Sequence, residues 1–344
     1  MAQMQQLAQS NRDDERLAFI QSLTLPVNWQ KARITPLAGD ASFRRYFRLE
    51  TVTQHAMLMD CPPGKEPLQP YLYIANLLQQ EGFSAPTILQ HDLVHGFALI
   101  EDFGDETFTR LLAKGHDERS LYDMAVDVLS AITQINWEEK SLQLPYYDTE
   151  KLIAEARLLP EWYYPAMTHG RICSTEAVRE YEAAWRYILK QLNTEKNVLV
   201  LRDYHVDNLM LLKERSGAKA CGLLDFQDAV LGHPAYDLVS LLEDARRKVN
   251  DELTEHLWLR YTKNWPQQRS EEFGRSCRIL GTQRHCKVIG IFVRLSVRDG
   301  KNQYIKHIPH VLQLLARGIH EPALGPLFYW LDKYLPHWQE WSFS

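Results

Sequence analysis

Apolar residues recur along this chain with two different periods, and the change between them divides it. Over residues 34–37, 43–49 and 56–59 they form short runs rich in aromatic side chains, which predicts three strands separated by turns. Ahead of them, residues 13–25 carry Leu17, Phe19, Ile20 and Leu23 at helical spacing, open on acidic residues and stop before Pro26, the pattern of a packing helix. Pro62, Pro63 and Gly64 interrupt the strands. Residues 68–80 then place Leu72, Ile74, Ala75, Leu77 and Leu78 where a helix buries them, and Gly82 ends the pattern. Runs at 87–89 and 96–100 predict two further strands, hence a sheet of about five with one inserted helix.

After Glu101-Asp-Phe-Gly104 the helical period dominates, with helices expected over residues 107–113, 121–135, 149–162, 175–192, 237–248, 252–265, 271–297, 310–317 and 324–334. Short apolar runs at 198–201, 209–212 and 221–224 interrupt them. With a Gly-containing turn at 213–219, the last two read as a hairpin. Strands first and helices afterwards make an α+β protein of two lobes: a small N-terminal antiparallel sheet lobe over 1–101 and a larger helical C-terminal lobe over 102–344. The length of 344 residues agrees, since it exceeds one typical domain.

Composition narrows the function classes. The 44 acidic and 39 basic residues give a net charge of −5, which offers no global attraction to nucleic acid or anionic lipid. Cys61, Cys173, Cys221, Cys277 and Cys286 form no CxxC pair and are odd in number, so reduced thiols are expected. The N-terminus is Gln-rich and then charged, without the apolar core of a signal peptide, and no run approaches the length of a membrane span. A cytoplasmic monomer acting on small molecules, with no nucleic-acid or membrane partner, is the expectation.

The candidate chemistry lies in Leu201-Arg-Asp-Tyr-His-Val-Asp-Asn208 and Leu223-Leu-Asp-Phe226. Phosphoryl transfer needs one carboxylate to orient and deprotonate a hydroxyl, and oxygen donors to hold Mg²⁺ on the nucleotide phosphates. Asp203 fits the first role; Asn208, five residues on, and Asp225 fit the second, with the spacing of a kinase catalytic loop and the metal-binding Asp that follows it. Each residue alone reads equally as a turn cap. Upstream, Gly39, Ala41 and Ser42 are small enough for backbone N–H groups and a hydroxyl to approach phosphate, although an ordinary hairpin turn has the same composition.

Together, the small sheet with its inserted helix, the hinge, the helical lobe and the Asp203/Asn208/Asp225 set resemble the protein-kinase-like bilobal fold of aminoglycoside and choline phosphotransferases. More narrowly, Leu37-Ala-Gly-Asp-Ala-Ser-Phe-Arg-Arg-Tyr-Phe-Arg48, Met59-Asp-Cys-Pro-Pro63, Leu99-Ile-Glu-Asp-Phe-Gly104 and Val288-Ile-Gly-Ile-Phe-Val-Arg294 look like the bacterial anomeric kinases of N-acetylmuramate and N-acetylglucosamine, which serve peptidoglycan recycling. The resemblance implies ATP and Mg²⁺ as cofactors, Asp203 as base, and Asn208 and Asp225 as metal ligands. It also implies that the turn from Gly39 to Phe43 covers the phosphates and that the backbone of Glu101 and Phe103 holds adenine.

Two departures stand out. Arg202 precedes Asp203 where aminoglycoside phosphotransferases usually have His-Gly, and the third strand has no Lys for the phosphates, nor the next helix a well-placed Glu to pair with one. Joint absence is physically easier than loss of one partner, which strands a charge. Arg44 or Arg45 is the candidate substitute; by the two-residue strand period only one points inward, and Arg44 is preferred.

On the acceptor side, Arg284, Lys287, Arg294 and Arg298 share one side of a helix and make a stripe suited to the lactyl carboxylate of N-acetylmuramate, with Arg294 and Arg298 the preferred pair. A solvated helix face has the same pattern. His205 and Asp207 are candidates for sugar hydroxyls, and Asp237 for capping a helix and bracing the catalytic loop. The resulting expectation is an ATP-dependent kinase of the anomeric hydroxyl of an amino sugar. The alternatives are a phosphotransferase for an aminoglycoside, choline or homoserine, and a nucleotide-binding pseudokinase.

Overall fold

A computed structural model describes residues 2–37, 43–140, 143–193 and 195–341, with residues 2–10 described by backbone only. Helix α1 (Ala2–Gln21) begins well before the expected start at residue 13. Its first turns consist of good helix formers such as Ala, Gln, Met and Leu, so propensity extends the helix beyond the stretch that periodicity marks. Five antiparallel strands follow: β1 (Arg33–Pro36), β2 (Arg45–Glu50), β3 (His55–Asp60), then, after α2 (Gln69–Gln80), β4 (Ile88–Asp92) and β5 (Phe97–Glu101). Their order in the sheet is β1-β2-β3-β5-β4.

The two-residue period of β2 sorts its side chains. Leu49 joins Phe19, Ile20, Leu23, Trp29, Ala56, Leu58, Phe97 and Leu99 in the core between α1 and the sheet. Arg45, of the same parity, reaches the fully buried Asp60 at 2.9 Å, and Arg12 of α1 meets the same carboxylate at 2.6 Å. Arg44, Tyr46 and Arg48 share the other parity, which by the strand period sets them on the opposite face.

Two compact units are formed, residues 1–118 with 206–228, and residues 119–205 with 229–344. In the first unit, the hairpin of Leu209–Leu211 and Cys221–Leu223 is bound to the sheet region: Leu223 N–H donates to Ser84 O at 2.7 Å, Leu211 N–H to Glu106 O at 3.0 Å, and Phe226 stacks on Tyr71 of α2 at 5.0 Å. Gly222 is required there, because a Cβ would lie 2.9 Å from the Phe103 ring. The sequence reading grouped this hairpin with the helices. Chain order carries no signal for a segment that returns to bond with Ser84.

The second unit is helical. Gln267–Asp299 forms its central helix, largely buried from Phe273 to Ser296 and packed against Thr149–Ala156, Ala235–Leu242 and Ile308–Gly318. The helix expected over 149–162 ends at Ala156, and a π-helical turn, Leu159–Tyr163, follows around Pro160, which lacks an N–H to continue an α-helical ladder. Gly290 allows the long helix to meet that turn, since a Cβ there would lie 2.3 Å from the Leu158 backbone. Val198–Val200, within the apolar run expected at 198–201, pairs with Val230–Gly232, a strand too short for its periodicity to be read. Among the described residues no helix is long and apolar enough to cross a membrane. All five cysteines are free thiols.

Candidate active site

Asp203 belongs to the helical unit. It follows Val198–Val200 in a loop whose backbone is held by one carboxylate: Asp237 accepts the N–H of Leu201 at 2.6 Å and of Arg202 at 2.8 Å. Arg202 sits at φ +71°, a left-handed conformation that a non-glycine residue keeps only when its surroundings fix it. Its side chain is fixed as well, by a close ion pair with Glu155. Glu155 also pairs with Lys287 Nζ at 2.9 Å and accepts the Tyr147 hydroxyl. Lys287 lies 3.4 Å from the Tyr236 hydroxyl.

This network sets the charge on Asp203, which is exposed as a residue although the neighbouring Tyr204 and His205 are buried. Desolvation pushes its pKa up, but the fields of Lys287, Arg284, His205 and Arg202 outweigh it and hold the carboxyl below its ordinary range. Asp237 behaves oppositely. Burial raises its pKa to about 7, against the pull of the two backbone N–H groups it accepts.

Asn208 and Asp225 belong to the sheet unit, brought together by the hairpin. Leu209 is paired with Leu223, and Leu224 N–H donates to Asn208 O at 3.0 Å, so the two residues flank the same end of the ladder. Asp225 is at φ +56° and accepts from Gln227 Nε2 at 2.8 Å. An amide oxygen and a half-exposed carboxylate are hard donors that fit Mg²⁺, which takes few protein ligands and completes its shell with phosphate and water.

Arg44 lies in the same unit, with Nη1 3.9 Å from Asp225 Oδ1 and Nε 2.6 Å from Glu66 Oε2. Arg45, committed to Asp60, points away. Arg48 is engaged just beyond β5: Nε meets Asp102 at 2.6 Å and Nη1 meets Asp105 at 2.9 Å. Gly39, Ala41 and Ser42 lie outside the described residues; Phe43 is exposed and its N–H donates to Glu66 Oε1 at 3.2 Å. At the end of β5, the Glu101 N–H is given to Thr87 O at 2.8 Å, and Arg215 pairs with the Glu101 carboxylate while lying 5.3 Å from the Phe103 ring.

Of the acceptor residues singled out from sequence, His205 is 5% exposed with Nε2 3.1 Å from Arg246 Nη1, and Asp207 accepts the Thr109 hydroxyl. Arg298 is exposed and engaged by its neighbour Asp299 at 2.7 Å, with Arg294 half-buried nearby. The stripe's other two members, Arg284 and Lys287, are buried and act on Asp203. Two residues were missed altogether. Glu155 had a weak signal, a carboxylate among the buried positions Leu152, Ile153 and Ala156; Glu66, in a loop, had none.

This fold and this donor set define a kinase-like phosphotransferase. The chain belongs to the phosphotransferase enzyme family, whose model matches residues 33–270, and it transfers a phosphoryl group to an alcohol acceptor. It is 34% identical to the N-acetylmuramate/N-acetylglucosamine kinase of Caulobacter vibrioides over 362 aligned positions, covering 95% of this chain and 98% of that one. It is 35% identical to the protein of the same name from Pseudomonas aeruginosa over 307 positions, covering 86% and 87%. Among solved structures, it resembles choline kinase from Cryptosporidium parvum with a TM-score of 0.60 at 12% identity, covering 93% and 99% of the two chains. An ADP-bound aminoglycoside phosphotransferase matches with a TM-score of 0.58 at 15% identity, covering 89% and 99%. At these identities the structural likeness carries the fold alone.

Proposed function

We propose that this enzyme uses ATP and Mg²⁺ to phosphorylate the anomeric hydroxyl of N-acetylmuramate and N-acetylglucosamine, producing the sugar 1-phosphates in cell-wall recycling. The observation that carries this reading is the 34% identity, over 95% of the chain, to a kinase of those two sugars. The surroundings of Asp203 support it: Lys287, Arg284 and Arg202 make a basic neighbourhood suited to a neutral or carboxylate-bearing acceptor, whereas a cationic aminoglycoside or choline calls for acidic residues. The ATP requirement makes the cytoplasm its working compartment.

In this reading Asp203 accepts the proton of the anomeric hydroxyl. That hydroxyl is more acidic than an ordinary alcohol, so a carboxylate held ionised by its neighbours suffices as base, and positioning carries most of the acceleration. Asn208 and Asp225 hold Mg²⁺, which neutralises charge on the phosphates when bound. With the Glu101 N–H engaged by Thr87, the Glu101 carbonyl and Phe103 backbone are the groups assigned to adenine. Arg284 is the group assigned to the lactyl carboxylate, in place of Arg294 and Arg298.

The test is turnover of N-acetylglucosamine against its borohydride-reduced form, which lacks a ring C1 hydroxyl, with phosphorus NMR of the products. A 1-phosphate from the native sugar and none from the reduced one is expected. Equal turnover of both refutes the anomeric assignment.

A further inference from the structure

Kinases of this fold direct a lysine from the third strand at the α- and β-phosphates and pin it with a glutamate from the following helix. Here β3 reads His-Ala-Met-Leu-Met-Asp and holds no such cation. We propose that Arg44, pinned by Glu66, is the nucleotide-polyphosphate anchor, an ion pair moved from the third strand to the entry of the second. The inference rests on the reading that a nucleotide is the phosphoryl donor.

Three observations carry it. Ion pairing separates the arginines: Arg45, on the other strand face, is spent on Asp60 and Arg48 on Asp102 and Asp105, whereas Arg44 approaches the candidate metal carboxylate, at 3.9 Å. Division of labour within the guanidinium is the second, since Nε is committed to Glu66 at 2.6 Å while Nη1 faces Asp225. That orientation turns the planar fork toward the place where phosphates bridged to a metal on Asp225 come, and a fork can grip phosphate through two parallel bonds.

Glu66 is the third. One oxygen holds Arg44 and the other accepts the Phe43 N–H at 3.2 Å, so a single carboxylate fixes the arginine and the backbone beside it. Arg44 is only 9% exposed, and a buried guanidinium without a counter-ion is costly, so Glu66 is what lets the cation wait there before nucleotide arrives. Tyr46, on the same strand face, shares the interaction with Arg44 and has its own hydroxyl pushed up to about 12, by burial above all. Glu66 is thus a positioning residue acting through Arg44.

The experiment is calorimetric titration of the full-length protein with ADP, AMP and adenosine in the absence of divalent cations. Arg44→Ala should weaken ADP by about 10- to 100-fold, the worth of a charge-assisted bond, and leave adenosine within about twofold. Glu66→Gln should weaken ADP less, and the double variant no more than Arg44→Ala alone, because both act through one guanidinium. Arg44→Lys keeps the charge in a smaller, folded-state-preserving form and should give an intermediate loss of ADP. ADP affinity within twofold of wild type in both Arg44 variants overturns the anchor, as does an equal loss of ADP and adenosine. Failure of wild type to phosphorylate either amino sugar, with the ADP-selective loss intact, refutes the acceptor and not the anchor.

Discussion

Asp237 Oδ2 accepts the backbone N–H of Leu201 at 2.6 Å, and its other oxygen takes the N–H of Arg202, so one buried carboxylate holds the strained turn that presents Asp203. Two donors need two acceptors. Asp237→Asn replaces one oxygen with an amide that cannot accept, leaving a buried N–H unsatisfied. We expect a loss of about 1–3 kcal/mol in urea unfolding and a fall in kcat with ADP affinity retained. An unchanged kcat in a folded variant contradicts the bracing role.

The same carboxyl gives a pH signature. Its folded pKa is raised from 3.8 to about 7, so between those values the folded protein binds a proton that the unfolded chain does not. Its contribution is therefore fully present below about pH 4 and is lost as pH rises through about 7. Unfolding of the Asp237→Asn protein should show a flatter dependence over that window than wild type, measured by urea midpoints at fixed pH steps.

Asp203→Asn should reduce turnover by about 10²- to 10⁴-fold, the usual worth of a positioned base, while ADP binds within twofold of wild type. Lys287 is the largest of the charges that keep Asp203 ionised. Lys287→Met should therefore move the acid limb of the kcat/KM profile to higher pH, and an unmoved limb rules out that coupling.

Glu155 and Lys287 form a buried pair at 2.9 Å, with Arg202 on the same carboxylate. Breaking it from one side strands a charge: Glu155→Gln should cost about 3–5 kcal/mol of stability. Adding Lys287→Met should recover part of that loss, because the double variant leaves one fewer cation unbalanced. Chemical denaturation of the three variants reads the non-additivity.

Arg298 is exposed and engaged by Asp299, so Arg298→Ala should leave KM for both sugars within twofold and the melting temperature unchanged. Arg284→Met should raise KM for N-acetylmuramate more than for N-acetylglucosamine, since only the former carries a carboxylate. An equal rise for both sugars removes Arg284 from the specificity argument.

Much of this was legible in the residue order. Periodicities of two and 3.6 mark elements wherever one face is buried, so the five strands, α2 and most of the helices appear, as do Asp203, Asn208 and Asp225, whose spacing is local. The strand period allows only one of Arg44 and Arg45 to point inward, and the structure sets Arg44 near Asp225. Tertiary structure alone decided the rest. Glu66 lies 22 positions from Arg44, and Glu155 lies 132 from Lys287 in sequence terms (287 − 155), so no window holds either pair. Which members of the basic stripe lie beside Asp203 depends on the register of a 33-residue helix against its neighbours: Arg284 and Lys287 are buried, whereas Arg298, about three turns beyond Lys287, is exposed. Pattern reports what a segment must bury, whereas the partner that neutralises a buried charge is set by contacts between segments far apart in the chain.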